Sequence, residues 1–158
     1  MLHIILPGAK DLMLSHLVCD VNGTLAMDGQ ISAPVRERLI TLAAQLQVHL
    51  VTADTYGTLP SLLNELQRVG APVQAQRVET GADKVAYVRA LGAEQVVALG
   101  NGINDVGMFR LARLSIAICG AEGLAVAALQ AATLMVSSPE AALDLLLHPR
   151  RLTATLRP

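Results

Sequence analysis

The chain of 158 residues is 53% hydrophobic and 16% charged, with a formal net charge of −1. That length predicts one domain, 1–158, with enough interior to fold without disulfides or a structural metal. The charge balance leaves no basic footprint for nucleic acid, and one Phe, two Tyr and no Trp leave few rings on which bases could stack.

Two short apolar runs, Leu2–Leu6 and Leu12–Leu14, flank a polar stretch and predict an N-terminal β-hairpin. Leu17-Val18-Cys19 reads as a strand buried on both faces that stops at Asp20. Asn22, Gly23 and Thr24 follow, and Gly23 lets the chain turn so that loop amides can face an anion. Taken alone, this stretch fits an ordinary polar turn as well as it fits a site. Met27–Ile31 predicts a small flap above it. Ser32 is placed to N-cap a helix with Pro34 in its first turn, and Val35, Leu39, Ile40, Leu42, Ala43 and Leu46 form its apolar stripe. Val48–Val51 is the next strand and runs into Thr52-Ala53-Asp54-Thr55.

A helix over about Leu59–Val69 stops at Gly70, before a peripheral strand, Val73–Val78. Asp83-Lys84 opens a helix that Gly92 closes. Gln95–Leu99 is again a buried strand, leading into Gly100-Asn101-Gly102-Ile103-Asn104-Asp105 and a helix to about Arg113. Ser115–Ser138 carries one charge, Glu122, but Gly120 and Gly123 divide it and Pro139 follows. It therefore predicts a strand, a helix near Leu124–Ala131 and a strand Leu134–Val136, not a membrane span. With no signal-peptide pattern at the N-terminus, the expected location is the cytoplasm. The tail Glu140–Leu156 is expected to be helical with a break at Pro149. Cys19 and Cys119, each ending an apolar run, read as small buried hydrophobes; a redox role for Cys19 is the alternative.

Strands alternating with helices predict a three-layer α/β/α arrangement around a mostly parallel, Rossmann-like sheet. Three strands end in polar or Gly-rich loops, Asp20–Thr24, Thr52–Thr55 and Gly100–Asp105, and such ends meet on one edge. The groups brought there would be two carboxylates, Asp20 and Asp105, the Thr52 hydroxyl, the Lys84 ammonium and the amides of Asn22, Asn101 and Asn104. Carboxylates with amide oxygens suit Mg²⁺. A cation beside Lys84 would offset repulsion between a carboxylate nucleophile and a phosphate dianion, so that Asp20 could form an aspartyl-phosphate. Lys84 is one of two lysines in a chain with ten arginines, which marks it as a compact point charge; its plain alternative is an exposed partner of Asp83.

These stretches are recognisable in order. Asp20-x-x-Gly23-Thr24-Leu25, Thr52-Ala53-Asp54-Thr55-x-x-Thr58, Asp83-Lys84 and Gly100-Asn101-Gly102-x-Asn104-Asp105 resemble the motifs of the haloacid dehalogenase (HAD) superfamily, and within it the phosphorylation domain of P-type ATPases. The resemblance implies Asp20 as nucleophile, with Thr52 and Lys84 holding the phosphoryl group. It implies a Mg²⁺ site of Asp20, the Asn22 backbone carbonyl, Asn101 and Asp105, and a phosphate site drawn from Gly23, Thr24, Thr52, Ala53, Lys84 and Asn104. The short intervals from Thr24 to Thr52 and from Thr52 to Lys84 leave no room for a cap, so a capless enzyme is expected.

Two residues depart from the pattern. Asn22 stands where the superfamily's phosphatases carry an Asp that works as general acid and base, so alkyl phosphates should turn over slowly and acyl or aryl phosphates less so. Asn101 replaces an Asp and removes one negative charge from the metal site, which should weaken Mg²⁺ binding. The expected partner is a small phosphorylated substrate or a phosphoprotein, and the apolar composition favours a homo-oligomer. The alternatives are a degenerate relative that binds a phospho-ligand or partner protein without catalysis, and a receiver-like phosphoacceptor.

Overall fold

The computed structural model describes residues 1–54, 57–70 and 72–158, so Thr55 of the second loop lies outside the described residues. Leu2, Ile4, Leu12 and Leu14 are buried while His3 and Met13 between them are exposed, the alternation of a sheet with one covered face. They form the hairpin β1 (Leu2–Ile4) and β2 (Leu12–Leu14), antiparallel with Leu2 opposite Leu14, and this pair stands apart from the main sheet.

Six further strands follow in the chain: β3 (His16–Cys19), β4 (Gln47–Thr52), β5 (Val73–Arg77), β6 (Val96–Gly100), β7 (Leu114–Ile118) and β8 (Leu134–Val136). They form one sheet in the order β5-β4-β3-β6-β7-β8, and every neighbouring pair is parallel. The order jumps between β3 and β6, so the loops after those two strands flank a crevice at the carboxyl edge, where such sheets take ligands.

Among the described residues seven α-helices cover the two faces: α1 (Ala33–Ala43), α2 (Leu59–Arg68), α3 (Gly81–Leu91), α4 (Val106–Leu111), α5 (Val126–Ala131), α6 (Pro139–Leu147) and α7 (Pro149–Leu156). Side-chain alternation along β3 assigns them. Leu17 and Cys19 share a core with the hairpin, α1, α2, α6 and α7, whereas Val18 packs with Val88, Met108, Phe109 and Ala128 of α3, α4 and α5. The expected Rossmannoid α/β/α architecture with an N-terminal hairpin is present. Between β3 and β4 the described chain holds only a tight turn and α1, and between β4 and β6 only α2, β5 and α3 with its short 3-10 extension. The fold is capless.

Local chemistry explains most boundaries. Ser32 accepts a hydrogen bond from the Val35 amide, capping α1 as expected. Pro149 opens α7 after α6 ends, so the tail is broken where proline requires it. Helix α3 starts at Gly81, two residues earlier than the sequence suggests. Thr80 Oγ1 accepts from the Asp83 amide and Asp83 Oδ2 accepts from the Thr80 amide, a reciprocal cap that makes Asp83 the third helical residue. Those backbone hydrogen bonds also hold the Asp83 carboxyl below its ordinary range.

The cysteines behave differently from one another. Cys19 is buried, and burial followed by the Asp20 charge pushes its thiol well up, which removes the thiolate a redox role requires. Cys119 is exposed, against expectation, because it lies one residue beyond the end of β7, where the chain leaves the core. No helix of the described residues is long and apolar enough to cross a membrane.

Candidate active site

Asp20 follows the last residue of β3 directly, and its amide donates to the Leu99 carbonyl of β6, which fixes the carboxylate at the crevice between the two strands. The chain then winds tightly: the amides of Thr24, Leu25 and Ala26 all donate to the Val21 carbonyl, with Gly23 at φ +76°. That left-handed conformation favours glycine. A side chain there would also collide, since a Cβ on Gly23 would lie 2.7 Å from both Asn101 Nδ2 and Glu122 Oε2. The expected flap is a two-residue turn in which Met27 and Gln30 exchange amide hydrogen bonds and Asp28 and Gly29 both have positive φ.

Lys84 sits in the second turn of α3, past the cap, and its stem is 1% exposed. Its ammonium donates to Asp20 Oδ1 at 2.6 Å and to Asp105 Oδ1 at 2.7 Å. The reading of Lys84 as an exposed neighbour of Asp83 is thereby replaced: Asp83 caps the helix and Lys84 joins two carboxylates. Asp105 Oδ2 accepts the amides of Asn101 and Gly102, both at 2.9 Å, and so draws the Gly100–Asp105 loop around itself. Gly100 has to be glycine for this reason, because a Cβ there would lie 2.4 Å from Asp105 Oδ2.

The other Asp20 oxygen, Oδ2, accepts from the Thr24 hydroxyl at 3.1 Å, and the same hydroxyl lies 3.1 Å from Asn101 Oδ1. The Asn101 orientation is set by its Nδ2, which donates to the Gly123 carbonyl at 3.1 Å. One hydroxyl proton therefore faces two acceptors and serves only one of them at a time. Asn22 Oδ1 is a further buried oxygen with no hydrogen-bond partner.

Burial, followed by repulsion from Asp105, pushes the Asp20 carboxyl up from 3.8 to about 6, with Lys84 and Thr24 pulling the other way. Burial opposes the charge on Lys84, yet attraction to Asp20 and Asp105 outweighs it and raises its pKa. The ion pair is thus decisive for the lysine but not for the aspartate, which has a second carboxylate to contend with. Two carboxylates against one ammonium leave the buried cluster with an excess of negative charge when all three are ionised.

Thr52 ends β4, the neighbour of β3, and is buried; its Oγ1 accepts the Asp54 amide, and among the described residues its proton has no acceptor. Ala53 is exposed beside it. Asn104 is exposed, with its side-chain oxygen over Gly102 and its backbone over Gly81, and among the described residues no hydrogen bond links it to Asp20 or Lys84. Asp20, Thr24, Lys84, Asn101 and Asp105 therefore form one hydrogen-bonded cluster, Thr52 shares its sheet edge, and Asn104 stands outside. Glu122, whose carboxylate lies over Gly23, escaped the sequence reading as a site residue; its only signal was as the single charge in an apolar stretch.

The donor set suits a hard divalent cation. Asp20, Thr24 and Asn101 turn oxygens toward one another, and Asn22 adds a buried oxygen with no partner. Among the described residues no three His, Cys, Asp or Glu side chains gather closely enough to hold a metal ion by themselves. Neutral oxygens and water would have to complete any coordination shell.

No family model matches the chain. A curated relative, uncharacterized protein MJ0073 of Methanocaldococcus jannaschii, is 32% identical over 92 residues, which span 54% of this chain and 99% of that protein. Among solved structures, 3-deoxy-D-manno-octulosonate 8-phosphate phosphatase from Moraxella catarrhalis, in complex with magnesium, phosphate and KDO, superposes with a TM-score of 0.70 over 92% of this chain and 95% of that one, at 16% identity. The cobalt-bound deoxy-D-mannose-octulosonate 8-phosphate phosphatase from Haemophilus influenzae gives 0.69 over 91% and 93%, at 17% identity. The sequence match covers the relative almost end to end and the structural matches cover nearly all of the chain: the protein belongs to the family of the M. jannaschii protein and has the capless α/β fold of the HAD-superfamily hydrolases.

Proposed function

We propose that the protein is a Mg²⁺-dependent phosphohydrolase or phosphotransferase that works through an aspartyl-phosphate on Asp20. The observation that carries this reading is the state of Asp20: a buried carboxylate at the carboxyl end of a central strand, with one oxygen on Lys84 and the other on Thr24. A carboxylate so positioned has lost most of its water, and its nucleophilic oxygens are aimed by two fixed donors.

In the reaction an Asp20 oxygen attacks phosphorus, the bond from phosphorus to the leaving oxygen breaks, and the leaving group departs with the bonding pair. Water then attacks the phosphorus of the acyl phosphate, releasing orthophosphate and returning the carboxylate. Lys84 balances the charge of the nucleophile and of the entering phosphoryl oxygens, and the Thr52 proton is available to one of those oxygens. Asp20, the Asn22 carbonyl, Asn101 and Asp105 would hold Mg²⁺, which supplies Lewis-acid neutralisation of the phosphoryl charge. Gly23 and Ala53 contribute backbone to the phosphate loops.

Asn22 decides how far the reaction goes. Its carboxamide cannot protonate a leaving alkoxide or deprotonate the attacking water. The first half-reaction slows unless the leaving group is already stable as an anion, and the second, in which water needs a base, slows for every substrate, so the phosphoenzyme persists as in the ATPase phosphorylation domains. The substrate is accordingly an acyl or aryl phosphate, small or carried on a protein, ahead of an alkyl phosphate. Restoring the acid with Asn22→Asp is expected to raise kcat/KM, which reports the phosphorylation step, by about 10²-fold for alkyl phosphates and far less for acetyl phosphate. Equal gains on both would refute this account of Asn22.

The direct test is hydrolysis of acetyl phosphate and p-nitrophenyl phosphate with Mg²⁺, abolished by EDTA and restored on adding the metal back. One feature favours a second reading, a domain that binds a phospho-ligand without turnover: the described residues hold no three-ligand acidic cluster. Inert protein that still binds orthophosphate would establish that alternative.

A further inference from the structure

Glu122 occupies a turn in which the Gly123 amide donates to the Gly120 carbonyl, with Gly123 at φ +82°. Two hydrogen bonds clip this segment to the hinge loop of the site: Asn101 Nδ2 donates to the Gly123 carbonyl, and the Ala125 amide donates to the Asn101 carbonyl. The clip sets the Glu122 carboxylate over the face of Gly23 beside Asn101. Its Oε2 and Asn101 Nδ2 each lie 2.7 Å from the point a Gly23 Cβ would occupy, so a single water can span the two groups. Glu122 makes no ion pair among the described residues. A carboxylate without an ion pair among the described residues thus lies beside Nδ2 of Asn101, whose Oδ1 faces the Thr24 hydroxyl of the cluster.

We propose that Glu122 is a positioning residue for the divalent cation, supplying the anionic charge that Asn101 does not. The proposal rests on the Mg²⁺ reading above. Glu122 acts through water and not as a direct ligand, because it lies on the Nδ2 side of Asn101 while the Asn101 Oδ1, Thr24 and Asp20 oxygens gather on the other. Outer-shell carboxylates orient bound water and raise affinity through their charge. Gly23 is the structural condition for this arrangement, since any side chain there would take the space between Glu122 and the loop.

The test is calorimetric titration of Mg²⁺ into the full chain at constant ionic strength, with the Mg²⁺-induced rise in melting temperature as a second readout that needs no turnover. Glu122→Gln is expected to bind Mg²⁺ about tenfold more weakly than the parent protein. Glu140→Gln, which removes a carboxylate that lines the same cavity but is held by the Ser32 hydroxyl, should stay within about twofold, the size of a general charge effect at physiological salt. Adding Asn101→Asp to Glu122→Gln should recover the affinity, because the charge returns from the other side of Gly23. Unchanged affinity in Glu122→Gln, an equal loss in Glu140→Gln, or failure of Asn101→Asp to rescue overturns the role given to Glu122. Neither heat nor a melting shift from the parent protein would overturn the metal reading itself.

Discussion

Asp20→Asn is expected to abolish turnover of acetyl phosphate and, in metal-free protein at neutral pH, to raise the melting temperature. The first effect follows from removing the nucleophile. The second follows from the cost of keeping that nucleophile ionised. The Asp20 carboxyl is pushed up to about 6 from 3.8, by burial first and by Asp105 second. Between those values the native state holds more protons than the unfolded chain, so stability falls as pH rises through the window and stays lower above it. Two pKa units correspond to about 3 kcal/mol. That value already contains the pull of Lys84; the asparagine keeps an oxygen for the ammonium but loses the acceptor that Oδ2 offered Thr24, leaving a net gain of about 1–2 kcal/mol, or about 3–6 °C in a chain of this size. Below pH 4 the parent carboxyl is protonated as well, and the difference should vanish. Thermal unfolding in EDTA at pH 4 and pH 7.5 measures this. A lower melting temperature for Asp20→Asn at pH 7.5 would mean that the ionised carboxylate is no burden to the fold. The expected result is a trade of stability for function at one atom group.

The strands and their order of use were legible because each is a short apolar run that ends at a polar or glycine-rich break. Leu17–Cys19 and Val96–Gly100 are buried throughout, as central parallel strands must be. Asp20, Lys84 and Asp105 could be brought together on paper because strand ends meet on one edge. The burial of Lys84 could not, since a lysine after an aspartate reads as an exposed pair until the Thr80–Asp83 cap is seen to claim the aspartate. Glu122 was hidden for a related reason. Its position depends on hydrogen bonds that tie Asn101 to Gly123 and Ala125, a contact between loops far apart in the chain. His49 shows the same limit inside the core: it interrupts an apolar strand yet is 1% exposed, joined to His16 at 3.1 Å and to Tyr87 at 2.9 Å. Burial, then the neighbouring His16, pushes its pKa down to about 4, so it serves as a neutral hydrogen-bonding spacer away from the carboxyl edge. Hydrophobic patterning reports where a strand lies, but not which polar side chains it can carry indoors with partners from other elements.

Lys84→Met should be the most destabilising single change at the site. The methionine keeps the stem packed, so little cavity results, and the cost is electrostatic. Asp20 and Asp105, now joined through one ammonium at 2.6 and 2.7 Å, would be left as two buried carboxylates with no cation between them. Removing one member of a buried ion pair costs about 3–5 kcal/mol. The sign of the pH dependence distinguishes this from a packing defect. Without Lys84 the carboxyl pair takes up a proton far more readily in the folded state than in the unfolded chain, so the variant gains stability as pH falls and loses it as pH rises. Urea midpoints at pH 5 and pH 7.5 should therefore lie much closer to those of the parent protein at the lower pH. The double variant Lys84→Met with Asp20→Asn, which leaves a single buried carboxylate, should recover most of the loss at pH 7.5. A deficit equal at both pH values, and unrelieved by Asp20→Asn, would mean that Lys84 supports the fold through its stem and not its charge. If the deficit does follow the carboxylates, saturating Mg²⁺ should relieve it as well, because a cation at the same oxygens would stand in for the missing ammonium.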